Sequence, residues 1–279
     1  MKFWTALFIG IVEGLTEFLP VSGSGHLSIF VNLFKLKYVE EEHLLFAALL
    51  QLSVLAAIYF AYKKDIGPMF RDSWEFVTGK GNKGRTEDGR ITVQIRTVLM
   101  VLIALIPTLV MLLFYKKLKT LSGNTSFVAL ALLVTGGLLY AADRIPKGTK
   151  TDRNMSALDA LCIGAAQAIA MIPGMSRPGS AVTAGIARGM KRDQAVRFSF
   201  LVAFPVVLVS VFMQIISALL GGIIWKLVPL YIFGAAVAGV IGYFALLLFR
   251  RIVSKMKLTY FSYYCWGVGV IVLIVSMFA

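Results

Sequence analysis

The chain has 279 residues, of which 58% are hydrophobic and only 15% charged, and its formal net charge is +14. Its apolar residues form long unbroken runs, which excludes an ordinary soluble domain. Because the Lys and Arg residues cluster between these runs, we expect them to face anionic lipid headgroups and not a nucleic acid. The sequence therefore predicts an all-α polytopic membrane protein with a single integral-membrane domain, residues 1–279.

The first predicted element, residues 3–30, is an apolar segment interrupted by Pro, Gly and Ser, and a second such segment lies at 157–187. Non-helical backbone at membrane depth is tolerated only where it is buried in protein or lines a wet cavity. Both segments are therefore predicted to be re-entrant helical hairpins. Six uninterrupted runs are long enough to cross about 30 Å of hydrocarbon at about 1.5 Å per residue. They are predicted to be transmembrane helices at 44–62, 96–115, 126–142, 198–220, 227–249 and 260–279.

Basic residues concentrate in four stretches between these spans, at 63–96, 143–155, 188–197 and 250–257. If the spans alternate in direction, all four stretches lie on one side, and the positive-inside rule makes that side the cytoplasm. The acidic loop at 35–43 and the turn at 221–226 then face outward, together with Lys116, Lys117 and Lys119. On this map the first hairpin enters the membrane from outside and the second from inside.

The two halves of the chain share a weak internal similarity. An offset of 154 residues places Gly10 on Gly164, Glu13 on Gln167, Ser22 on Ser176 and Gly25 on Gly179. This pattern predicts two inverted-topology repeats, about 1–142 and 155–279, with a site near the midplane where broken helices of each half meet. Gln167 would then hydrogen-bond inside that site or make a helix–helix contact.

The first motif runs from Glu13 to His26 and contains two acidic residues in an apolar segment. Glu13 and Glu17 lie four residues apart, hence on one helical face, and Pro20 ends that helix. An acidic residue at mid-bilayer costs about 2.5–3.5 kcal/mol unless it is paired, protonated or metal-bound. A hard divalent cation, Mg²⁺ or Ca²⁺, would relieve both carboxylates and also bind phosphate oxygens of a diphosphate.

The same motif continues as Ser22-Gly23-Ser24-Gly25-His26. Its glycines let backbone N–H groups approach an anion closely, and its serines add donors. His26 is the candidate nucleophile or general acid. The alternative is that His26 only caps a helix and the glycines only form a turn, but the two nearby intramembrane acids favour a functional role.

The second motif runs from Pro173 to Thr183. Arg177 lies between apolar half-helices, where its guanidinium would hold phosphate oxygens in a bidentate manner. Pro178 suits the first turn of a helix, so Ser176 would be the N-cap and the helix dipole would point at the same anion. The alternative is that Arg177 pairs with an acid, which would also bring the two hairpins together.

The two motifs resemble those of the undecaprenyl-diphosphate phosphatases associated with bacitracin resistance. That family carries the blocks E-G-x-x-E-x-L-P-V-S-S-(S/T)-G-H and P-G-x-S-R-S-x-x-T, which correspond here to residues 13–26 and 173–181. The similarity covers essentially the whole chain. It implies six spans, two re-entrant hairpins as inverted repeats, and cation-assisted hydrolysis of undecaprenyl diphosphate, the carrier lipid of cell-wall synthesis. It also implies a site facing the periplasm of the bacterial inner membrane.

The resemblance assigns Glu13 and Glu17 to cation or base roles, and Ser22 with His26 to the reacting centre. It assigns binding of the diphosphate to Ser176 and Arg177. Gly174, Ser180 and Gly25 are further candidates to bind the diphosphate. Gly23 stands where the family has a second serine, so His26 is the expected nucleophile, with Ser24 as the fallback.

Two further positions depart from the family pattern. Pro178 replaces a serine and Ala181 replaces a threonine. Ser180 and Thr183 are candidates to supply the missing hydroxyls. Because these changes fall beside Arg177, an altered substrate or a reduced activity remains open.

Two functions are open on the sequence. The first is the phosphatase; the alternative is a polyprenyl-phosphate flippase or transporter that uses the same anion site, since broken helices in inverted repeats are typical of transporters. A type-2 phosphatidic-acid phosphatase is disfavoured because Thr183 occupies the position of that family's histidine. The expected partners are the lipid substrate and membrane lipids, and a homodimer is open.

Overall fold

The structure is a computed structural model that describes residues 1–33, 43–79, 91–255 and 257–278. These residues form helices joined by short connections. In chain order the helices are α1 (Phe3–Thr16), α2 (Gly23–Leu33), α3 (Leu44–Thr78), α4 (Val93–Leu112), α5 (Tyr115–Thr120), α6 (Thr125–Arg144), α7 (Ala157–Ile169), α8 (Arg177–Ala187), α9 (Arg192–Gly221), α10 (Val228–Ser254) and α11 (Thr259–Ser276).

Six of these helices, α3, α4, α6, α9, α10 and α11, are long and apolar enough to cross a membrane. They coincide with the six predicted spans, so the all-α polytopic fold class is confirmed and the chain is a multi-pass membrane protein. Many of their large hydrophobic side chains are exposed, as expected for helices whose outer surface contacts lipid.

Helix α3 is longer than the predicted span. It bends at Tyr62, whose φ and ψ are −119° and 21°, and then continues to Thr78. Residues 63–78 of the predicted basic loop are therefore helical, because backbone hydrogen bonding continues after the apolar run ends. Residues 80–90 of that loop and residues 34–42, which contain most of the predicted acidic loop, lie outside the described residues.

Ion pairs join several of the predicted basic stretches at one end of the helix bundle, here called the basic end. Arg197 pairs with both Asp65 and Asp152. Arg192 donates to Asp143 at 3.0 Å, and the other oxygen of that carboxylate accepts the backbone N–H of Thr259 at 2.7 Å. The stretches around residues 65, 143–152 and 192–197 and the start of α11 therefore lie together.

The segment containing α7 and α8 begins and ends at the basic end. Asp159, in the first turn of α7, lies 2.8 Å from Arg188, which follows the last residue of α8. Asp159 also accepts a hydrogen bond from Lys150 at 2.8 Å. Each of the two helices has 13 residues or fewer, about 20 Å, which is too short to cross a bilayer. This geometry supports the predicted second re-entrant hairpin.

The segment containing α1 and α2 begins and ends at the opposite end of the bundle. Near the start of α1, Ala6 belongs to one apolar cluster with Phe46 and Tyr231, which lie at the beginnings of α3 and α10. At the end of α2, the Asn32 amide donates to the carbonyl of Ser122, just before α6 begins. The segment is therefore anchored far from the basic end at both of its termini, which supports the predicted first re-entrant hairpin.

The two broken segments pack against the other half of the chain in the same way. Helix α1 lies against α10, and α7 lies against α4. Gly10 in α1 and Gly164 in α7 permit these close approaches, since a Cβ atom would overlap the carbonyl oxygen of Gly234 in one case and of Ala104 in the other. The glycines that the sequence aligned at an offset of 154 thus have the same structural role.

Candidate active site

The first motif forms the turn between α1 and α2. Glu17 follows the last residue of α1, and its backbone N–H still donates to the carbonyl of Glu13 at 3.1 Å. The chain then turns through Pro20 and Ser22. Among the described residues Ser22 is the only non-glycine residue with positive φ, at 66°. Its hydroxyl accepts the N–H of Gly25 at 3.2 Å, so it caps α2.

The second motif forms the corresponding turn between α7 and α8. Gly174 has a φ of 96°, a conformation that glycine adopts without strain. Ser176 caps α8 by accepting the N–H of Gly179 at 3.1 Å, and Pro178 lies in the first turn. The predicted N-cap is therefore confirmed.

The two turns are in direct contact. An ideal Cβ atom placed on Gly25 would lie 2.8 Å from the Cα atom of Gly174. One placed on Gly179 would lie 3.1 Å from the Cβ atom of Pro20. The N-terminal ends of α2 and α8 therefore meet inside the bundle, as the sequence predicts.

An ion pair joins the two motifs next to this contact. The guanidinium of Arg177 donates to the carboxylate of Glu17 at 2.5 Å. The Glu17 side chain is 12% exposed and that of Arg177 is 36% exposed. The structure thus shows the alternative interpretation of Arg177, its pairing with an acid, and this pairing brings the two broken segments together.

Glu13 lies one helical turn before Glu17. Its carboxylate accepts a hydrogen bond from the Gln51 side chain of α3 at 3.4 Å. Among the described residues no group of three or more His, Cys, Asp or Glu side chains is placed to hold a metal ion. Mg²⁺ is commonly bound by one or two carboxylates together with substrate phosphate oxygens, so cation binding by Glu13 and Glu17 stays a prediction.

His26 is held at both ring nitrogens. Its Nδ1 lies 2.9 Å from the carbonyl oxygen of Ser22, and its Nε2 lies 2.8 Å from the hydroxyl of Tyr264 in α11. The two rings are stacked, with their centroids 5.6 Å apart and their planes at 12°. His26 follows Gly25 directly, so the imidazole stands beside the contact between the two turns.

A profile of the family described as "Bacitracin resistance protein BacA" matches residues 6–271. The chain belongs to this family. Its relatives include proteins named undecaprenyl-diphosphatase from Alkaliphilus metalliredigens, which is 35% identical over 99% of this chain and 100% of the relative, and from Oceanobacillus iheyensis, 34% identical over 98% of both chains. A protein of the same name from Treponema denticola is 34% identical over 96% of both chains. The resemblance on the two motifs is therefore confirmed.

A cavity lies beside the Glu17–Arg177 pair of this BacA family member. Its volume is about 30 Å³. Gln167 lines it together with the ion pair, and the oxygen of its buried side-chain amide has no hydrogen-bond partner among the described residues. The remaining wall consists of Ser199 and the apolar side chains Phe18, Val54, Ile58, Pro178, Phe200, Ala203, Val206 and Val207.

The predicted hydroxyl groups differ in their accessibility. Ser24 is exposed in the first turn of α2, whereas Ser22 is buried and its hydroxyl is engaged in the helix cap. Ser180 and Thr183 are buried in α8, and neither lines the cavity described above. Gly23 lies beside the carboxylate of Glu17, since a Cβ atom there would be 3.2 Å from one of its oxygens.

Two residues that contact the predicted site were not expected from the sequence. Thr135 of α6 accepts the N–H of Ser176 at 3.2 Å and lies 3.1 Å from the carbonyl oxygen of Gly174. Tyr264 contacts His26. Thr135 is followed by Gly136 in an apolar span, and such a pair of small residues indicates a contact between helices. Tyr264 has no feature in the sequence that distinguishes it from the neighbouring Tyr263.

Proposed function

We propose that this protein hydrolyses undecaprenyl diphosphate to undecaprenyl phosphate and inorganic phosphate, and so recycles the carrier lipid and confers bacitracin resistance. The observation that carries the proposal is the Glu17–Arg177 pair, which joins two broken intramembrane segments beside His26. The relatives named undecaprenyl-diphosphatase match this chain over almost its whole length, and they give no support to a flippase.

Arg177 and the two helix N-termini form the anion site in this proposal. The partial positive charges at the starts of α2 and α8 favour a phosphate group next to the contact between Gly25 and Gly174. Substrate oxygens would replace Glu17 as partners of the Arg177 guanidinium, which presents several N–H donors in one plane. Such fixed donors are already oriented when the substrate arrives, so they need no reorganisation during the reaction.

His26 carries the chemistry. Its Nε2 attacks the terminal phosphorus and breaks the bond to the bridging oxygen, after which water hydrolyses the phosphorus–nitrogen bond. In the alternative route, His26 donates a proton to the leaving oxygen while water attacks. Ser24, which is exposed in the first turn of α2, is the fallback nucleophile.

A divalent cation, Mg²⁺ or Ca²⁺, would be held by Glu13 and Glu17. When bound, it would supply positive charge to neutralise the diphosphate oxygens. The Glu17 carboxylate becomes available to bind the cation once Arg177 binds the substrate instead of Glu17. Gln51 keeps Glu13 oriented through the hydrogen bond to its carboxylate.

The membrane supplies the surroundings of the substrate. We place the start of the lipid tail against the apolar side chains near the ion pair, such as Val54, Ile58 and Val207. We place the chain in the bacterial inner membrane with its basic end in the cytoplasm, so that the first hairpin opens towards the periplasm. Because Glu17 and Arg177 belong to one chain, the proposed activity needs no homodimer.

Phosphate release by the purified protein tests this function. The wild-type protein in detergent with Mg²⁺ is expected to release phosphate from undecaprenyl diphosphate, and His26→Ala to lower the rate by about 100-fold or more, the usual contribution of such a group. Arg251→Ala, an exposed change at the basic end, serves as the control and should keep full activity. A wild-type protein that moves polyprenyl phosphate across vesicles without releasing phosphate would instead establish the flippase.

A further inference from the structure

The two partners of the His26 ring differ in what they can do in a hydrogen bond. The partner of Nδ1 is the carbonyl oxygen of Ser22, at 2.9 Å, and a carbonyl oxygen only accepts. The partner of Nε2 is the hydroxyl of Tyr264, at 2.8 Å, and a hydroxyl both donates and accepts.

This difference fixes where the imidazole carries its proton. Nδ1 must donate to Ser22, so it is protonated in both charge states of the ring. In the neutral ring the lone pair is then on Nε2, where it accepts the Tyr264 O–H. In the charged ring Nε2–H donates to the oxygen of the same hydroxyl. The contact with Tyr264 therefore persists in both states, and Nε2 is the nitrogen that gains and loses the proton.

Tyr264 lies in α11, far along the sequence from His26, and the packing of α11 places it beside the imidazole. Its neighbour Cys265 is fully buried in α11, and the sulfur lies 3.8 Å from the carbonyl oxygen of Pro20 in the first turn. Helix α11 therefore packs directly on the turn that carries His26. The Tyr264 ring lies nearly parallel to the imidazole, at an interplanar angle of 12° and with the ring centroids 5.6 Å apart.

We propose that Tyr264 is a positioning residue for the reaction: its hydroxyl holds the His26 ring, whose Nδ1 is protonated by the contact with Ser22, so that Nε2 is the reacting nitrogen. The inference rests on the proposed function, in which His26 is the nucleophile or the general acid. When the substrate binds, Nε2 turns from the tyrosine hydroxyl to the phosphoryl group or the leaving oxygen, and the hydroxyl keeps a hydrogen bond in the transition state by donating to a phosphate oxygen beside it. Tyr264 is 46% exposed, so its side chain has room to move aside for this exchange.

The test uses Tyr264→Phe, which keeps the ring and removes only the hydroxyl. Tyr263→Phe is the matched control, because this neighbouring tyrosine is 58% exposed and its ring contacts Trp266 instead of His26. The chain has only two histidines, so the ring nitrogens of ¹⁵N-histidine-labelled protein give a simple spectrum that His26→Ala assigns.

In the wild-type protein the neutral His26 ring is expected to show a protonated Nδ1 and an unprotonated, hydrogen-bonded Nε2. Tyr264→Phe should shift the Nε2 resonance to that of a nitrogen without this hydrogen bond. It should also lower kcat for undecaprenyl diphosphate by about tenfold while KM stays unchanged, which corresponds to one hydrogen bond. Tyr263→Phe should change neither property.

The inference is overturned if Tyr264→Phe leaves the His26 resonances unchanged, or if it changes KM and leaves kcat as it was. It is also overturned if Tyr263→Phe has the same effects as Tyr264→Phe. Failure of the proposed function gives a different result, because the wild-type protein would then release no phosphate while the resonances would still report the contact between Tyr264 and His26.

Discussion

At the scale of single residues, the pairing of Glu17 with Arg177 meets two opposite requirements. An isolated charge inside a bilayer is costly, so each side chain needs a partner while the site is empty. A diphosphate needs a guanidinium that is free to bind it. The greater exposure of Arg177, at 36% against 12% for Glu17, lets one side chain serve both purposes.

Arg177→Lys tests whether substrate binding needs only the positive charge of this side chain or also the planar shape of the guanidinium. Lysine keeps a positive charge near Glu17 but loses the planar arrangement of donors that binds two phosphate oxygens. We expect kcat/KM for undecaprenyl diphosphate to fall by about 100-fold, equivalent to about 3 kcal/mol, with little change in the midpoint of thermal unfolding in detergent. Arg251→Lys is the control, and an Arg177→Lys enzyme with the activity of the wild type would remove bidentate binding from the mechanism.

Glu13→Gln tests the proposed cation site. The amide keeps the size of the side chain and its hydrogen bond to Gln51 but removes the negative charge that attracts a hard cation. Chelation of divalent ions should abolish phosphate release by the wild-type protein, and added Mg²⁺ or Ca²⁺ should restore it. Glu13→Gln should need at least about tenfold more cation for half-maximal rate. Equal cation requirements in the two proteins would exclude Glu13 as a ligand.

The sequence predicts the charged members of this site and misses two of its neighbours. Glu17, His26 and Arg177 are recognisable because ionisable groups are expensive within apolar segments. Tyr264 and Thr135 have side chains that are ordinary in membrane helices, and their contacts with the motifs depend on how α11 and α6 pack.

At the scale of helices, the contact between the two turns is reciprocal. Gly25 touches Gly174, and Gly179 touches Pro20. The offset of 154 residues that relates Gly25 to Gly179 also relates Pro20 to Gly174, so each contact is the counterpart of the other. The caps formed by Ser22 and Ser176 repeat in the same way. This correspondence of contacts and caps supports our proposal that the two halves are inverted repeats related by a pseudo-two-fold axis.

The chemical groups do not follow this symmetry. At the same offset His26 corresponds to Ser180, and Arg177 corresponds to Gly23. The first half therefore supplies the acids and the imidazole, and the second half supplies the guanidinium. A shared backbone arrangement thus brings unlike side chains to one place, as hydrolysis of a charged lipid requires.

Gly164→Ala tests the close approach of α7 to α4. A glycine-to-alanine change within a helix ordinarily stabilises it by about 0.5–1 kcal/mol. At Gly164 the added methyl group would overlap the carbonyl oxygen of Ala104, and such overpacking costs about 1–3 kcal/mol. We expect a lower midpoint of thermal unfolding in detergent.

Gly137→Ala is the matched control, because a Cβ atom on that glycine in α6 has no atom within 4 Å among the described residues. Its unfolding midpoint should stay the same or rise. If the two variants shift the midpoint in the same direction, the tight contact between α7 and α4 is not a determinant of stability.

At the scale of the whole molecule, we propose that the basic end lies on the cytoplasmic side of the membrane. Arg192 and Arg197 are paired with aspartates there. Other basic side chains, such as Arg251, are exposed and have no acidic partner within the part of the chain that the structure describes. Excess Lys and Arg beside the helix ends favours the cytoplasmic side. The connection at residues 113–124, which also contains lysines, lies at the other end of α4 and α6.

Cysteine labelling tests this orientation. In a background with Cys162 and Cys265 replaced by alanine, Ser254→Cys at the basic end should react with a membrane-impermeant maleimide only after the cells are permeabilised. Lys117→Cys at the opposite end should react in intact cells. Both positions are exposed, so equal access to reagent is expected once the membrane is opened. The reverse labelling pattern would place the first hairpin towards the cytoplasm.

The sequence by itself determines which segments cross the membrane and which two are interrupted, because hydrophobic length and the effects of Pro and Gly are local properties. It also indicates the residues that are too costly to bury without a function. Only the tertiary structure decides that Arg177 meets Glu17 and that Tyr264 meets His26, since these contacts join residues 160 and 238 positions apart. Helix packing brings such residues together, and packing depends on the surfaces of several helices at once.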